Sequence, residues 1–174
     1  IEDYGRAIEL NPDLENAYYY RGLAHRDLGE YGLAIQDFDR VIELDPYRAN
    51  AYYHRGKAYR NLGDDQRAIE DYGGAIELDP THESAYYSRA TVHRSMGDYD
   101  LAVQDYGKAI ELNPVKETAY YYHGLAHAEL GNAEQAIESF LRYLALEPDS
   151  DKRKQIAEMI REVQNQCTRA DPST

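Results

Sequence analysis

The chain has 174 residues, 43% hydrophobic and 29% charged, which is room for one compact domain or one short repeat array. Its formal net charge of −13 argues against nucleic acid as a partner, because phosphate backbones are bound by clustered Lys and Arg. No apolar run approaches the roughly 20 residues that span a bilayer, so no membrane-crossing segment is expected. The single cysteine, Cys167, provides neither an internal disulfide nor a zinc ligand set, and fits a reducing compartment without establishing one. Trp is absent, whereas Tyr occurs 18 times.

The organising signal is a period of 34 residues. Pro12, Pro46, Pro80, Pro114 and Pro148 are spaced by 34, as are Gly29, Gly63, Gly97 and Gly131, and Ala34, Ala68, Ala102 and Ala136. Each Pro closes a similar segment, from IEDYGRAIELNP to the looser IESFLRYLALEP. Self-similarity at such a period marks stacked supersecondary units.

In chain order, residues 1–12 match only the second half of a unit, so the expectation is a truncated repeat and a fragment of a longer array. Four full units follow within residues 13–148, near 15–48, 49–82, 83–116 and 117–150. In the first unit Ala17, Tyr18, Gly22, Ala24, His25 and Leu28 share one helical face, and Ala34, Ile35, Phe38, Val41, Ile42 and Leu44 share another. The intervening Gly suits a left-handed helix stop, and the Pro pushes the residue before it out of helical geometry. This predicts first helices near 15–28, 49–62, 83–96 and 117–130, and second helices near 31–44, 65–78, 99–112 and 133–146. Interior Gly22, Gly56 and Gly124 each cost about 1 kcal/mol against Ala, so each implies a close helix crossing, opposite Ala34, Ala68 and Ala136 respectively. Gly73-Gly74 reads only as a weak spot in its helix. Residues 151–166 form an amphipathic capping helix with Ile156, Met159, Ile160 and Val163 on one face. Residues 167–174 read as a flexible tail.

With Tyr52, Gly56, Tyr59, Ala68, Tyr72 and Pro80 in place, the pattern resembles the tetratricopeptide repeat (TPR) family over about residues 1–148. Departures are His25, His93 and His127 at a usual Tyr, and Arg21, Arg55 and Arg89 at a usual Leu. The resemblance implies an all-α fold, an α-solenoid whose helix–turn–helix repeats form a right-handed superhelix with a C-terminal capping helix. It also implies that the first helices line a concave groove that binds protein.

Family geometry puts Tyr18, Tyr52, Tyr86 and Tyr120 in the core and their neighbours Tyr19, Tyr53, Tyr87 and Tyr121 in a groove ladder. Beside the ladder it places Asn16, Tyr20, Leu23 and Arg26; Asn50, His54, Lys57 and Arg60; Thr91 and Arg94; and Tyr122. This face carries four basic residues and no acid, which suits an acidic or C-terminal carboxylate segment of a protein or peptide. Tyr adds contact area and a hydroxyl for peptide backbone. The carboxylate clamp of chaperone-binding members is absent: its places hold Tyr19, Leu23, His54, Ser84 and Ser88, or, one repeat on, Tyr53, Lys57, Ser88, Thr118 and Tyr122.

Arg21, Arg55 and Arg89 recur with Asp37, Asp71 and Asp105, and His123 replaces Arg where Ser139 replaces Asp. The joint exchange predicts an ion pair, within a unit (Arg55–Asp71) or across units (Arg55–Asp37). His123 and His127 have metal-ligand spacing, but His127 holds an aromatic packing place and no further ligand accompanies it, so no metal, cofactor or catalytic residue is assigned. Two functions remain open. One is an adaptor binding a partner peptide. The other is an architectural array, self-associating end to end through residues 1–10 or serving as the non-catalytic arm of a larger enzyme.

Overall fold

The computed structural model describes residues 1–148 and 152–170, with side chains as far as Gln164. Among the described residues all regular structure is helical: α1 (Glu2–Leu10), α2 (Glu15–Asp27), α3 (Tyr31–Leu44), α4 (Ala49–Asn61), α5 (Asp65–Leu78), α6 (Glu83–Met96), α7 (Tyr99–Leu112), α8 (Glu117–Glu129), α9 (Ala133–Leu146) and α10 (Arg153–Ala170). The chain divides into two units, Ile1–Val92 and a second from His93 onward. The capping helix is α10, and it continues past the expected end at 166. Cys167 to Ala170, expected as the start of a flexible tail, are therefore helical. No Gly or Pro precedes Pro172 in this stretch, so nothing interrupts the hydrogen-bond ladder; residues 171–174 lie outside the described residues.

The turn inside each repeat is set by its glycine. Gly29, Gly63, Gly97 and Gly131 have φ of 79°, 82°, 86° and 75°, a region unfavourable to any residue with a Cβ. In the first repeat the Gly29 N–H donates to the Arg26 carbonyl at 3.0 Å and the Glu30 N–H to the His25 carbonyl at 2.8 Å. This paired arrangement satisfies the last carbonyls of α2. The second helices stop differently. Asp45, before Pro46, is extended (φ −136°, ψ 92°), and its Oδ1 accepts from the Tyr47 N–H at 3.0 Å. Asp79 repeats this with the Thr81 N–H at 3.0 Å. The Asx–Pro pair thus ends one helix and turns the chain toward the next.

In the first unit one core joins Tyr19 of α2, Ala34, Phe38 and Val41 of α3, and Ala51 and Ala58 of α4. A second joins Ala68 and Tyr72 of α5 to Val92 of α6. In the second unit Ala136, Phe140 and Tyr143 of α9 pack with Ile156 and Val163 of α10. The helix crossings are closed by aromatic rings more than by the expected small alanines. A Cβ at Gly22 would lie 3.0 Å from the Phe38 ring, one at Gly56 3.0 Å from the Tyr72 ring, and one at Gly124 2.7 Å from the Phe140 ring. Burying such a ring contributes about 1.5–3 kcal/mol, enough to offset an interior glycine. Gly74 also has a packing role, since a Cβ there would sit 3.2 Å from the Tyr52 ring.

The core tyrosines are not those expected. Tyr18, Tyr52, Tyr86 and Tyr120 are only half-buried, and the fully enclosed rings are Phe38, Tyr72, Tyr106 and Phe140 of the second helices. Three of these half-buried rings lie under cations instead: Arg21 is 5.5 Å from the Tyr18 ring centre, Arg55 5.5 Å from that of Tyr52 and Arg89 5.9 Å from that of Tyr86.

Candidate functional site

The arginines at the usual Leu place are held, not free. The Arg21 Nε donates to Asp37 Oδ2 at 2.9 Å and its Nη2 to Oδ1 at 2.6 Å. Arg55 forms the same fork with Asp71 at 2.8 and 2.6 Å, and its Nη1 reaches Asp39 of the preceding second helix at 2.6 Å. Pairing is therefore within a unit, and the cross-unit partner of Arg55 is Asp39, not Asp37. Burial opposes the Arg55 charge, but Asp71 and Asp39 outweigh it and raise its pKa. In the fourth repeat the exchanged pair also meets, with His123 Nδ1 and Ser139 Oγ 3.0 Å apart.

The groove residues of the first unit come together across neighbouring first helices. Arg26 of α2 approaches His54 of α4, Nη1 to Nδ1, at 2.7 Å. His54 stacks on Phe38 at 5.9 Å between centroids and also contacts the rings of Tyr19 and Tyr53. Burial, then the electrostatic effect of Arg26, Lys57 and His82, pushes the His54 pKa down to about 3. The imidazole is thus neutral, with Nδ1 accepting from Arg26. Tyr53 packs on Tyr72 at 5.9 Å and on His82 at 4.8 Å, and the His82 Nε2 lies 3.1 Å from Asn50 Oδ1. Leu23 joins the first core as a half-buried neighbour. Tyr20 is 48% exposed and stacks on Tyr4 at 6.1 Å. Tyr87 and Thr91 are half-buried on α6, where Thr91 Oγ1 donates to the Tyr87 carbonyl at 2.8 Å.

Tyr19 departs from the expected ladder. It is only 8% exposed and belongs to the core. Arg48, in the turn after α3, lies 3.8 Å from its ring centre and covers it; Arg48 also pairs with Glu15 and donates to Asn16 Oδ1 at 2.9 Å. Carboxylates reach this face too. Glu15 holds Arg48, and Asp27 holds Arg26 at 2.6 Å. Among the described residues, Lys57 and Arg60 of α4 and Arg94 of α6 are the cations of the face in no ion pair, with Lys57 5.7 Å from the Tyr53 ring centre.

In the second unit Tyr121 packs on Phe140 and Tyr143 and lies under Lys152, whose Nζ is 4.5 Å from its ring centre. Tyr122 stacks on Tyr106 at 6.2 Å, with Arg94 5.0 Å from its ring centre and the Arg94 Nε buried without a hydrogen-bond partner among the described residues. The residues missed from sequence are the basic groups covering the ladder rings, Arg48 over Tyr19 and His82 on Tyr53. Their signal was present: Arg48, His82 and Lys116 are spaced by 34. They lie in turns, outside the helical faces from which the groove was drawn.

His123 and His127 contact edge to face at 4.4 Å. Among the described residues no group of three or more His, Cys, Asp or Glu side chains is placed to hold a metal ion, and no helix is long and apolar enough to cross a membrane.

Tetratricopeptide repeat models match residues 15–47 and 49–82, and a further one matches 87–151. No curated protein matches the chain. Among solved structures, the crystal structure of MamA is similar at 30% identity over 83% of this chain and 85% of that one, with a TM-score of 0.80. YrrB, a TPR protein with an unusual peptide-binding site, shares the fold at 22% identity over 98% and 93%, TM-score 0.78. The first TPR of Spaghetti (RPAP3), bound to the HSP90 peptide SRMEEVD, shares it at 24% identity over 71% and 96%, TM-score 0.63. With helix–turn–helix units at a constant period and the family's glycines and prolines at their turns, this chain belongs to the tetratricopeptide repeat family and is a protein-interaction module.

Proposed function

We propose that the chain binds an acidic, extended segment of a partner protein along the face of α2, α4 and α6, without catalysing a reaction. The observation that carries this reading is the state of the cations. Arg21, Arg26, Arg48 and Arg55 are each committed to carboxylates of the chain itself, whereas Lys57 and Arg60, three residues apart on α4, are not. On a chain of net charge −13, these two cations outside any ion pair, Lys57 of them beside Tyr53, form a local attraction for a carboxylate from outside. Tyr53 and His54 supply rigid rings for the neighbouring side chains, and Asn50 and Thr91 supply polar contacts for the backbone. YrrB and the first TPR of Spaghetti, both peptide-binding by description, support a peptide as the ligand type.

A peptide array probed with the full chain, followed by titration of the captured sequences, tests this. Lys57→Glu with Arg60→Glu should weaken capture by about tenfold or more, as charge reversal does at a complementary interface, and Tyr53→Ala by a similar factor. Unchanged capture by both variants would remove this face as the site.

A second reading, self-association through residues 1–10, is favoured by α1. This helix contains no buried residue and exposes Tyr4 (37%) and Leu10 (88%), with Ile1 (44%) exposed at its N-cap. Sedimentation should then depend on concentration and revert to monomer with Tyr4→Glu. A wild-type chain that stays monomeric at every concentration defeats it.

A further inference from the structure

A second site is built on a different face of α8. Tyr120, His123 and His127 stand at helical spacing i, i+3, i+7, turned away from Tyr121 and Tyr122. They border a cavity of about 310 Å³, also lined by Gly107 of α7 and by Glu138, Ser139 and Arg142 of α9. This volume is at the small end of ligand pockets.

The other repeats show what such a space accommodates. In the first, the corresponding positions hold a guanidinium: Arg21 lies against the Tyr18 ring, forks onto Asp37, and its Nη1 would be 4.0 Å from a Cβ at Gly5. In the second, Arg55 repeats the contact with Tyr52 and Asp71. In the fourth, Tyr120 and the glycine floor remain, since a Cβ at Gly107 would lie 3.8 Å from His123 Nε2. The guanidinium is gone, because His123 is shorter than Arg and Ser139 shorter than Asp.

The hydrogen bonds also define what faces the space. Ser139 Oγ donates to the Gln135 carbonyl at 2.8 Å. Its one proton being used there, its 3.0 Å contact with His123 is satisfied when Nδ1–H donates to Oγ. Nε2 is then left as an acceptor over Gly107. Burial and the neighbouring His127 keep this imidazole neutral, its pKa lowered to about 4. A ring face, a bare imidazole nitrogen and the Glu138 carboxylate all favour a planar N–H donor of positive charge. Arg142, exposed at the rim, is the cation among the lining residues that opposes it.

We propose that this cavity binds a guanidinium group, from an arginine side chain of a partner or from a small guanidine compound. The test is an NMR titration of the full chain with methylguanidinium chloride, against sodium chloride at matched ionic strength, and in parallel with a short peptide containing one arginine. Saturable shifts at His123 and Tyr120 in the millimolar range, absent at His54, are expected. Response to both probes, or to methylguanidinium alone, supports the site and distinguishes the two sources. The double variant His123→Arg with Ser139→Asp rebuilds the pair of the first repeat and should abolish the response while leaving capture on α4 unchanged. Glu138→Lys, at an exposed position, should weaken binding severalfold and serves should the double variant not fold. Shifts that sodium chloride reproduces, that acetate produces instead, or that survive in both variants would overturn the proposal.

Discussion

The first and fourth repeats use one pair of positions in opposite ways. In the first, Arg21 and Asp37 form a two-pronged ion pair, with the Asp37 side chain 5% exposed and that of Arg21 24%. In the fourth, His123 and Ser139 make one neutral hydrogen bond and leave a cavity. The backbone is the same helix–turn–helix in both. The comparison teaches that this position tolerates a charge only as half of a pair: where the cation is lost, the carboxylate is lost with it. A lone buried Asp would be an uncompensated charge, and a lone buried Ser is not.

The strongest way to break this comparison is to remove one partner. Asp37→Ala leaves the Arg21 guanidinium half-buried without its fork and should cost about 3 kcal/mol. Ser139→Ala removes a neutral hydroxyl, with its bonds to His123 and to the Gln135 carbonyl, and should cost about 1 kcal/mol. Urea denaturation of both variants measures the difference, and equal losses would show that the ion pair contributes no more than the neutral bond. Next in size is the glycine beneath each aromatic ring. Gly124→Ala places a Cβ 2.7 Å from Phe140, against 3.0 Å from Phe38 for Gly22→Ala. The tighter site should lose about 2 kcal/mol, within the usual range for overpacking, and the looser one less. The reverse order in thermal melts would mean that the rings give way more easily than this packing suggests.

Much of this was legible in the sequence because it is periodic. Helix ends followed from Gly29 and Pro46 and their copies, and the Arg–Asp partnership from the joint change at His123 and Ser139. The site was less legible. Adjacent tyrosines on a helix differ by about 100° in direction, which separates Tyr18 from Tyr19 but does not say which is covered. That was decided by Arg48, a turn residue arriving over Tyr19 from outside the helix, and by Arg21, which occupies the space beside Tyr18. Likewise no spacing indicated that Glu15 and Asp27 would pair with Arg48 and Arg26 while, among the described residues, Lys57 and Arg60 form no ion pair. Such pairing depends on how long side chains fold across neighbouring helices.

The finest distinction between the two units is in two half-buried histidines, His54 and His123. His54, in the first unit, is held neutral by burial and by Arg26, Lys57 and His82, with its pKa near 3; His123, in the second, is held neutral by burial and by His127, with its pKa near 4. Both values lie below the 6.5 of a free imidazole. Above pH 6.5 neither folded nor unfolded chain binds the proton, and the native stability is intact. Below it the unfolded chain takes up a proton that the folded chain refuses, so each histidine withdraws about 1.4 kcal/mol for every pH unit until its own folded pKa is reached. Acidification should therefore act on His123 only to about pH 4 and on His54 further, to about pH 3. Imidazole resonances followed from pH 7 to 3 should show His123 titrating first. Replacing Arg26 by Met should move the His54 midpoint upward, since it removes the second-largest cause of its depression, and leave His123 unmoved. A His54 that titrates near 6.5 in the wild-type chain would mean that its Nδ1 does not accept from Arg26 and that this face is open to water.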